Sequence, residues 1–195
     1  RSLERVLAAK ARTGLPDNKL VDLEAIAEVI PDPAADARAR QTAERAITLL
    51  RNRNQAVERL RTGNPCAVAV LTTRISRMGL TFEEELKRRR RRARMDFVYP
   101  EMSQAEVRRV AASLSRCSAV AGADVTTARK SGKGWKLAGE LDTFAGAMAQ
   151  IRPVVIWVAF GTPYAAQYLP EYSAYVVPFS NTPVSEAAAI RTLLG

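Results

Sequence analysis

Pro153-Val154-Val155-Ile156-Trp157-Val158-Ala159-Phe160 is the longest uninterrupted apolar run in the chain, and its reading decides the fold. It is rich in β-branched residues, which suit a pleated surface. It does not alternate apolar with polar, so both of its faces must be covered. Gly161 and then Thr162-Pro163 end it: the glycine eases an abrupt exit, and the proline fixes the angle of the next segment. Working outward, Ala174 to Val177 is a second such strand, and Cys66 to Leu71 a third. Phe97 to Tyr99, Ala119 to Ala121 (weaker) and Ile47 to Leu50 complete a set of about six. Helical patterns lie between them. Strand alternating with helix implies right-handed crossovers. The expected fold is therefore α/β, a mostly parallel sheet of about six strands sandwiched between helices in three layers.

The helices carry their own punctuation. Ser2 to Thr13 has apolar residues at helical spacing, with Gly14 as its stop, and Leu15 to Asn18 is a turn. Leu20 to Val29 reads as a short helix, Pro31-Asp32-Pro33 as a break, and Ala34 to Arg45 as a third helix. These elements suggest a helical segment and linker over residues 1–40, then the α/β domain over 41–195. Thr81 to Glu84 and Ser103 to Glu106 both fit a capping box. Trp135 to Gln150 reads as one helix with Leu137, Leu141, Phe144 and Met148 on a face. Thr182-Pro183 opens the last helix, which runs to Leu194.

Composition narrows the chemistry. The chain has 195 residues and is 47% hydrophobic, enough for a sizeable core. It contains no histidine, which removes Ser-His-Asp triads, Cys-His dyads and His-ligated zinc from its repertoire. Cys66 and Cys117 are too few for a disulfide scaffold and lack metal-ligand spacing, so neither a metal nor a cofactor is expected. No apolar stretch has the roughly 20 residues of a membrane span. The chain opens without Met and without a signal-peptide pattern, as expected of an excised piece of something longer.

Lys and Arg number 30 against 20 Asp and Glu, but the excess is local. Lys87, Arg88, Arg89, Arg90, Arg91, Arg92 and Arg94 carry seven of the positives. The run follows the acid-rich start of its helix, and cations suit a helix end. At helical spacing the arginines of residues 88–92 surround the axis rather than forming one stripe, and no aromatic cluster adjoins them for base stacking. Non-specific polyanion binding through Arg88, Arg89, Arg90, Arg91 and Arg92 is the expectation, with no specific nucleic-acid partner.

Sheets of this kind bind ligands beyond the carboxyl ends of their strands. No Rossmann glycine fingerprint occurs there. Ser131-Gly132-Lys133-Gly134 falls short of a phosphate loop, because Thr127 stands where the earlier glycine belongs and Gly134 where Ser or Thr does. Glu83, Glu84 and Glu85 fit a helix N-terminus, and Glu140 and Asp142 point apart within the Trp135 helix. Asp124, at a strand end, is the best single acid by position, with Lys130 and Lys133 following it. Tyr164, Tyr168, Tyr172 and Tyr175 read as a mixture of core and rim packing.

Several stretches together resemble glycoside hydrolase family 3. Val154 to Tyr164 (VVIWVAFGTPY) is similar to its "VVVVSFGNPY", and Ala174 to Ser180 (AYVVPFS) to its "AYLVAYS". Glu186 to Gly195 resembles its closing "EAAARALFG", Ala43 to Asn52 (AERAITLLRN) its "A.RSITLLKN", and Arg5 to Leu15 its "RIL.AKARLGL". The resemblance implies the C-terminal α/β sandwich domain of such an enzyme, without the (β/α)8 barrel that carries the nucleophilic Asp. The barrel and a carbohydrate substrate are the implied partners. No catalytic residue is then expected here; Asp124, Lys130, Lys133, Gly161, Thr162 and Tyr164 are expected to border the sugar site. In the family's β-glucosidases a Glu from a loop of this domain reaches the barrel mouth. The corresponding stretch, Asp124 to Trp135 (DVTTARKSGKGW), has none, which favours the β-N-acetylhexosaminidase type, whose acid/base dyad lies on the barrel. The compartment is left open, export of a bacterial parent being compatible with the sequence.

Overall fold

A computed structural model gives the chain as two compact units, residues 1–38 and 39–195. The structure describes residues 2–20, 22–30, 32–70, 77–124, 129–131, 134–136, 140–152 and 154–195. In the first unit, α1 (Ser2–Arg12) ends where Gly14 turns left-handed at φ 71°. Leu15 N–H then donates back to Lys10 O, satisfying a terminal carbonyl. α2 (Leu23–Val29) is capped by the Asp22 carboxylate, which accepts from the Glu24 and Ala25 amides. Leu3, Val6, Leu7, Leu20 and Leu23 stand exposed on this unit.

α3 (Pro33–Ala46) leads into the second unit. There follow β1 (Thr48–Asn52), α4 (Ala56–Thr62), β2 (Pro65–Val70), α5 (Leu80–Arg89), β3 (Met95–Val98), α6 (Gln104–Leu114) and β4 (Ala119–Asp124). A small hairpin, β5 (Arg129–Ser131) and β6 (Gly134–Lys136), precedes α7 (Leu141–Ala149), β7 (Val154–Ala159), β8 (Ala174–Val177) and α8 (Pro183–Leu194). Among the described residues six strands form one sheet in the order β1-β8-β7-β4-β2-β3, parallel throughout except for β1 against β8. The α/β three-layer expectation is met.

Every residue of β7 is buried, as its unalternated apolar sequence requires. Ile156 and Val158 face a layer built from Val57 and Leu60 of α4, Phe82 and Leu86 of α5, and Ile190 and Leu193 of α8. Val155 and Trp157 face Val107 and Leu114 of α6 and Phe144 and Met148 of α7. Trp157 stacks on Tyr172, centroids 5.0 Å apart, and the Tyr172 hydroxyl donates to Ala145 O. The indole fits because its cross-strand neighbour is Gly122; a Cβ there would lie 2.9 Å from the Trp157 ring. Cys66 and Cys117 form a disulfide across the amino ends of β2 and β4, buried in the α6/α7 side of the core.

Two local expectations need correction. Residues 134–136 are a strand, so the Trp135 helix starts only at Leu141; its Leu141, Phe144 and Met148 face is buried as read, and Leu137 lies outside the described residues. Pairing with residues 129–131 outweighs the local helical pattern. Thr81 does not cap α5. Its N-cap is Gly79, at φ 88°, and the orphan amides there go to a carboxylate from α8. The capping box at Ser103 and Glu106 does form.

Candidate functional site

Strand order marks a switch point at the carboxyl edge of the sheet. β2 and β4 are neighbours, yet the chain leaves β2 for α5 on one face and β4 for α7 on the other. Connections that part in this way open a gap at the carboxyl ends, where ligands bind in open α/β sheets. The register pairs Val70 with Asp124 and Asp124 with Ala159, so Asp124 ends its strand at this gap. Lys130 lies on β5 opposite Trp135, and Lys133 lies outside the described residues. β6 packs against the 3₁₀ turn Pro163–Gln167. The hairpin therefore links the Asp124 end of β4 to the Gly161-Thr162-Tyr164 exit from β7.

At that exit Thr162 Oγ1 accepts from the Tyr164 amide at 3.3 Å, so the hydroxyl starts the turn while Pro163 holds its first position. Tyr164 is 60% exposed. Gly161 makes this exit without a left-handed angle: among the described residues the positive-φ glycines are Gly14, Gly79 and Gly195. Strain sits instead at Phe179, just beyond β8, with φ 62° and its ring half exposed. A bulky side chain in the left-handed region is an outlier that its surroundings must enforce. Nothing in the local sequence marks it. Tyr168 is exposed at the rim, while Tyr172 and Tyr175 belong to the core, as the mixed reading of the tyrosines requires.

Glu140 also moves. It is the N-cap of α7 rather than a residue inside a helix, and its amide donates to Pro100 O, just beyond β3. Its Oε2 is buried without a hydrogen-bond partner among the described residues. On the other side of the same edge Glu186, 2% exposed, accepts from the Gly79 amide at 2.8 Å and the Phe82 amide at 3.1 Å. Burial pushes its carboxyl above the ordinary range, and the backbone donors of Gly79, Phe82 and Thr81 pull part of the way back. Glu186 thus cross-links the starts of α5 and α8, a structural task.

The arginine run lies at the opposite, amino edge of the sheet, where Arg94 O accepts from Ala67 N–H. α5 ends at Arg89, so Arg91 and Arg92 occupy a turn rather than a helix. A cavity of about 360 Å³ is lined there by Gly63, Asn64, Pro65 and residues 89–93. Among the described residues no group of three or more His, Cys, Asp or Glu is placed to hold a metal.

No protein-family model matches the sequence, and no curated protein matches it either. Solved structures do match. A glycoside hydrolase family 3 β-N-acetylglucosaminidase from Paenibacillus superposes with a TM-score of 0.73 at 18% identity, over 98% of this chain and 36% of that one. A β-glucosidase from Listeria innocua gives 0.72 at 16% identity, over 98% and 29%. The β-glucoside phosphorylase BglX gives 0.65 at 15%, over 98% and 35%. The chain shares the fold of a part of these proteins. It spans about a third of their length. The likeness covers almost all of the chain, both the helical first unit and the sheet.

Proposed function

We propose that this chain is the C-terminal, non-catalytic accessory domain of a family 3 glycoside hydrolase, of β-N-acetylhexosaminidase rather than β-glucosidase type. The observation that carries the reading is the near-complete superposition of this chain on only a third of such enzymes, in agreement with sequence matches at both of its ends. On this reading a (β/α)8 barrel is the missing partner, and the carboxyl edge borders its sugar site through Asp124, Lys130, Lys133, Gly161, Thr162 and Tyr164. The buried Cys66–Cys117 bridge supports a parent that folds in an oxidising compartment.

The reading frame upstream of Arg1 tests the proposal directly. A (β/α)8 pattern there supports it, and a start codon immediately before Arg1 refutes it. The chain alone should turn over neither an aryl β-glucoside nor an aryl N-acetyl-β-glucosaminide, because retaining hydrolysis needs two groups about 5–5.5 Å apart, one of them on the barrel. Turnover by the isolated chain, abolished at Asp124, would overturn the accessory role. Glu140 is the first carboxylate after the Asp124–Trp135 stretch, and so the residue that would have to act in the longer gene product if this domain did supply a general acid. Glu140→Gln should leave aryl N-acetyl-β-glucosaminide hydrolysis nearly unchanged, whereas loss of a general acid would lower it by about 10²–10⁴-fold.

A further inference from the structure

The seven positive charges between Lys87 and Arg94 do not act together. Lys87 is paired with Glu83, and Arg88 with Glu85. Arg89 donates to the main-chain oxygen of Gly195, at the end of α8. Arg90 donates to Arg61 O, at the end of α4. Both therefore satisfy orphan carbonyls at helix C-termini, where cations are favoured. Arg94 bridges Asp96 and Ser113. Arg91 and Arg92 remain, both exposed, with no hydrogen bond or ion pair among the described residues. They share the rim of the 360 Å³ cavity with Asn64, and no acidic residue among the described residues lines it.

We propose that Arg91 and Arg92, with Asn64, form a docking notch for an acidic polysaccharide, and that the rest of the run is structural. A guanidinium presents a planar fork that matches the oxygens of sulfate, phosphate or carboxylate groups. The Arg89 and Arg90 charges behind the notch add to its field. The cavity volume lies at the small end of ligand clefts, about 300–1,000 Å³, enough for one charged substituent and part of its ring. Two observations favour a glycan over nucleic acid. Among the described residues no aromatic side chain lines the cavity to stack a base. Pro65, on its wall, adjoins the Cys66–Cys117 disulfide, and disulfides persist in oxidising compartments outside the cytosol. The choice of a glycan also rests on the glycosidase reading, whereas the notch itself does not. The site lies on the edge opposite Asp124, so a polymer held there leaves the carboxyl edge open.

The test is calorimetric titration of a heparin octasaccharide into the full chain, beside a single-stranded oligonucleotide of equal charge. The wild-type chain should bind the octasaccharide, and R91Q/R92Q should weaken it by about 10-fold or more at about 50 mM salt, with a shallower salt slope, while R88Q stays within about 2-fold. The melting temperature of R91Q/R92Q should equal that of the wild type, since neither side chain has a partner to lose among the described residues. Unchanged binding by R91Q/R92Q overturns the notch, and so does an equal loss in R88Q, which would mean diffuse charge. Tighter binding of the oligonucleotide than of the octasaccharide overturns the choice of glycan. None of these readouts involves glycoside turnover, so their failure is distinguishable from failure of the glycosidase reading.

Discussion

Removing the Cys66–Cys117 bridge should cost the second unit much of its stability. The two cysteines are 51 residues apart, and the loop they close holds α5, β3 and α6, about a third of the sheet domain. The chain-entropy relation for a loop of that length gives about 4 kcal/mol at 25 °C. For a domain of this size each kcal/mol moves the melting midpoint by about 2–4 °C, so reduction should lower it by about 8–16 °C. Both sulfurs belong to the buried core beside α6 and α7, so reduction should require strong reductant or mild warming. The assay is a thermal melt followed by circular dichroism, with and without dithiothreitol, on the wild type and on C66A/C117A. The reduced wild type and the double variant should melt together, and reductant should leave the variant unmoved. Coincident melts of oxidised and reduced wild type would refute the reasoning. So would two free thiols titrated in the denatured, unreduced protein.

Gly122→Ala should destabilise the domain by about 1–3 kcal/mol in urea unfolding, because its Cβ would meet the Trp157 ring at 2.9 Å; an unchanged midpoint would show that the ring moves freely. Glu186→Ala should cost several kcal/mol, since it strands the buried Gly79 and Phe82 amides at about 1–3 kcal/mol each, and a loss below 1 kcal/mol would count against the cross-link. The Glu186 carboxyl is raised above its ordinary 4.5, so the native state keeps this proton to higher pH than the unfolded chain does. Its proton-linked stabilisation is fully present below about pH 4.5 and is lost as pH rises through the native value. The wild type should therefore lose stability relative to Glu186→Gln over that window, and parallel profiles would contradict it.

The sheet was legible because its strands advertise themselves. Residues 154–159, 174–177 and 65–70 are apolar without alternation, and each lies on or beside the centre of the sheet. Two features escaped for one shared reason: their partners are distant in sequence. The cap of α5 comes from Glu186, more than 100 residues away, so the local Thr81 pattern misled. The disulfide joins strands made neighbours by a crossover through β3, which cysteine spacing does not encode. The β5–β6 hairpin escaped for another reason: Trp135 sits in a helix-like apolar spacing, whereas its strand is fixed by pairing with residues 129–131. Sequence placed Asp124 and the Gly161 turn at the carboxyl ends of β4 and β7, where the register also puts them, because strand ends are predictable once strands are. It did not show that Arg89 and Arg90 terminate helices while Arg91 and Arg92 do not, since that depends on where α4 and α8 stop.

The two borders of the sheet bear on how this chain behaves in concentrated solution. β1 is antiparallel to β8, and its register shifts between Leu49 and Arg51. Such an irregularity twists a border strand away from flatness. Leu49 and Leu50 are exposed on it, which would otherwise invite a stranger's strand to add on. At the far border β3 is only four residues long, with the Arg94–Asp96 ion pair at its start. Short, charged or kinked borders deny an incoming chain the row of evenly spaced amides that fibrils need for growth. The domain can therefore carry unalternated strands as sticky as VVIWVA in its interior and still resist sheet-to-sheet polymerisation, so long as those borders stay folded.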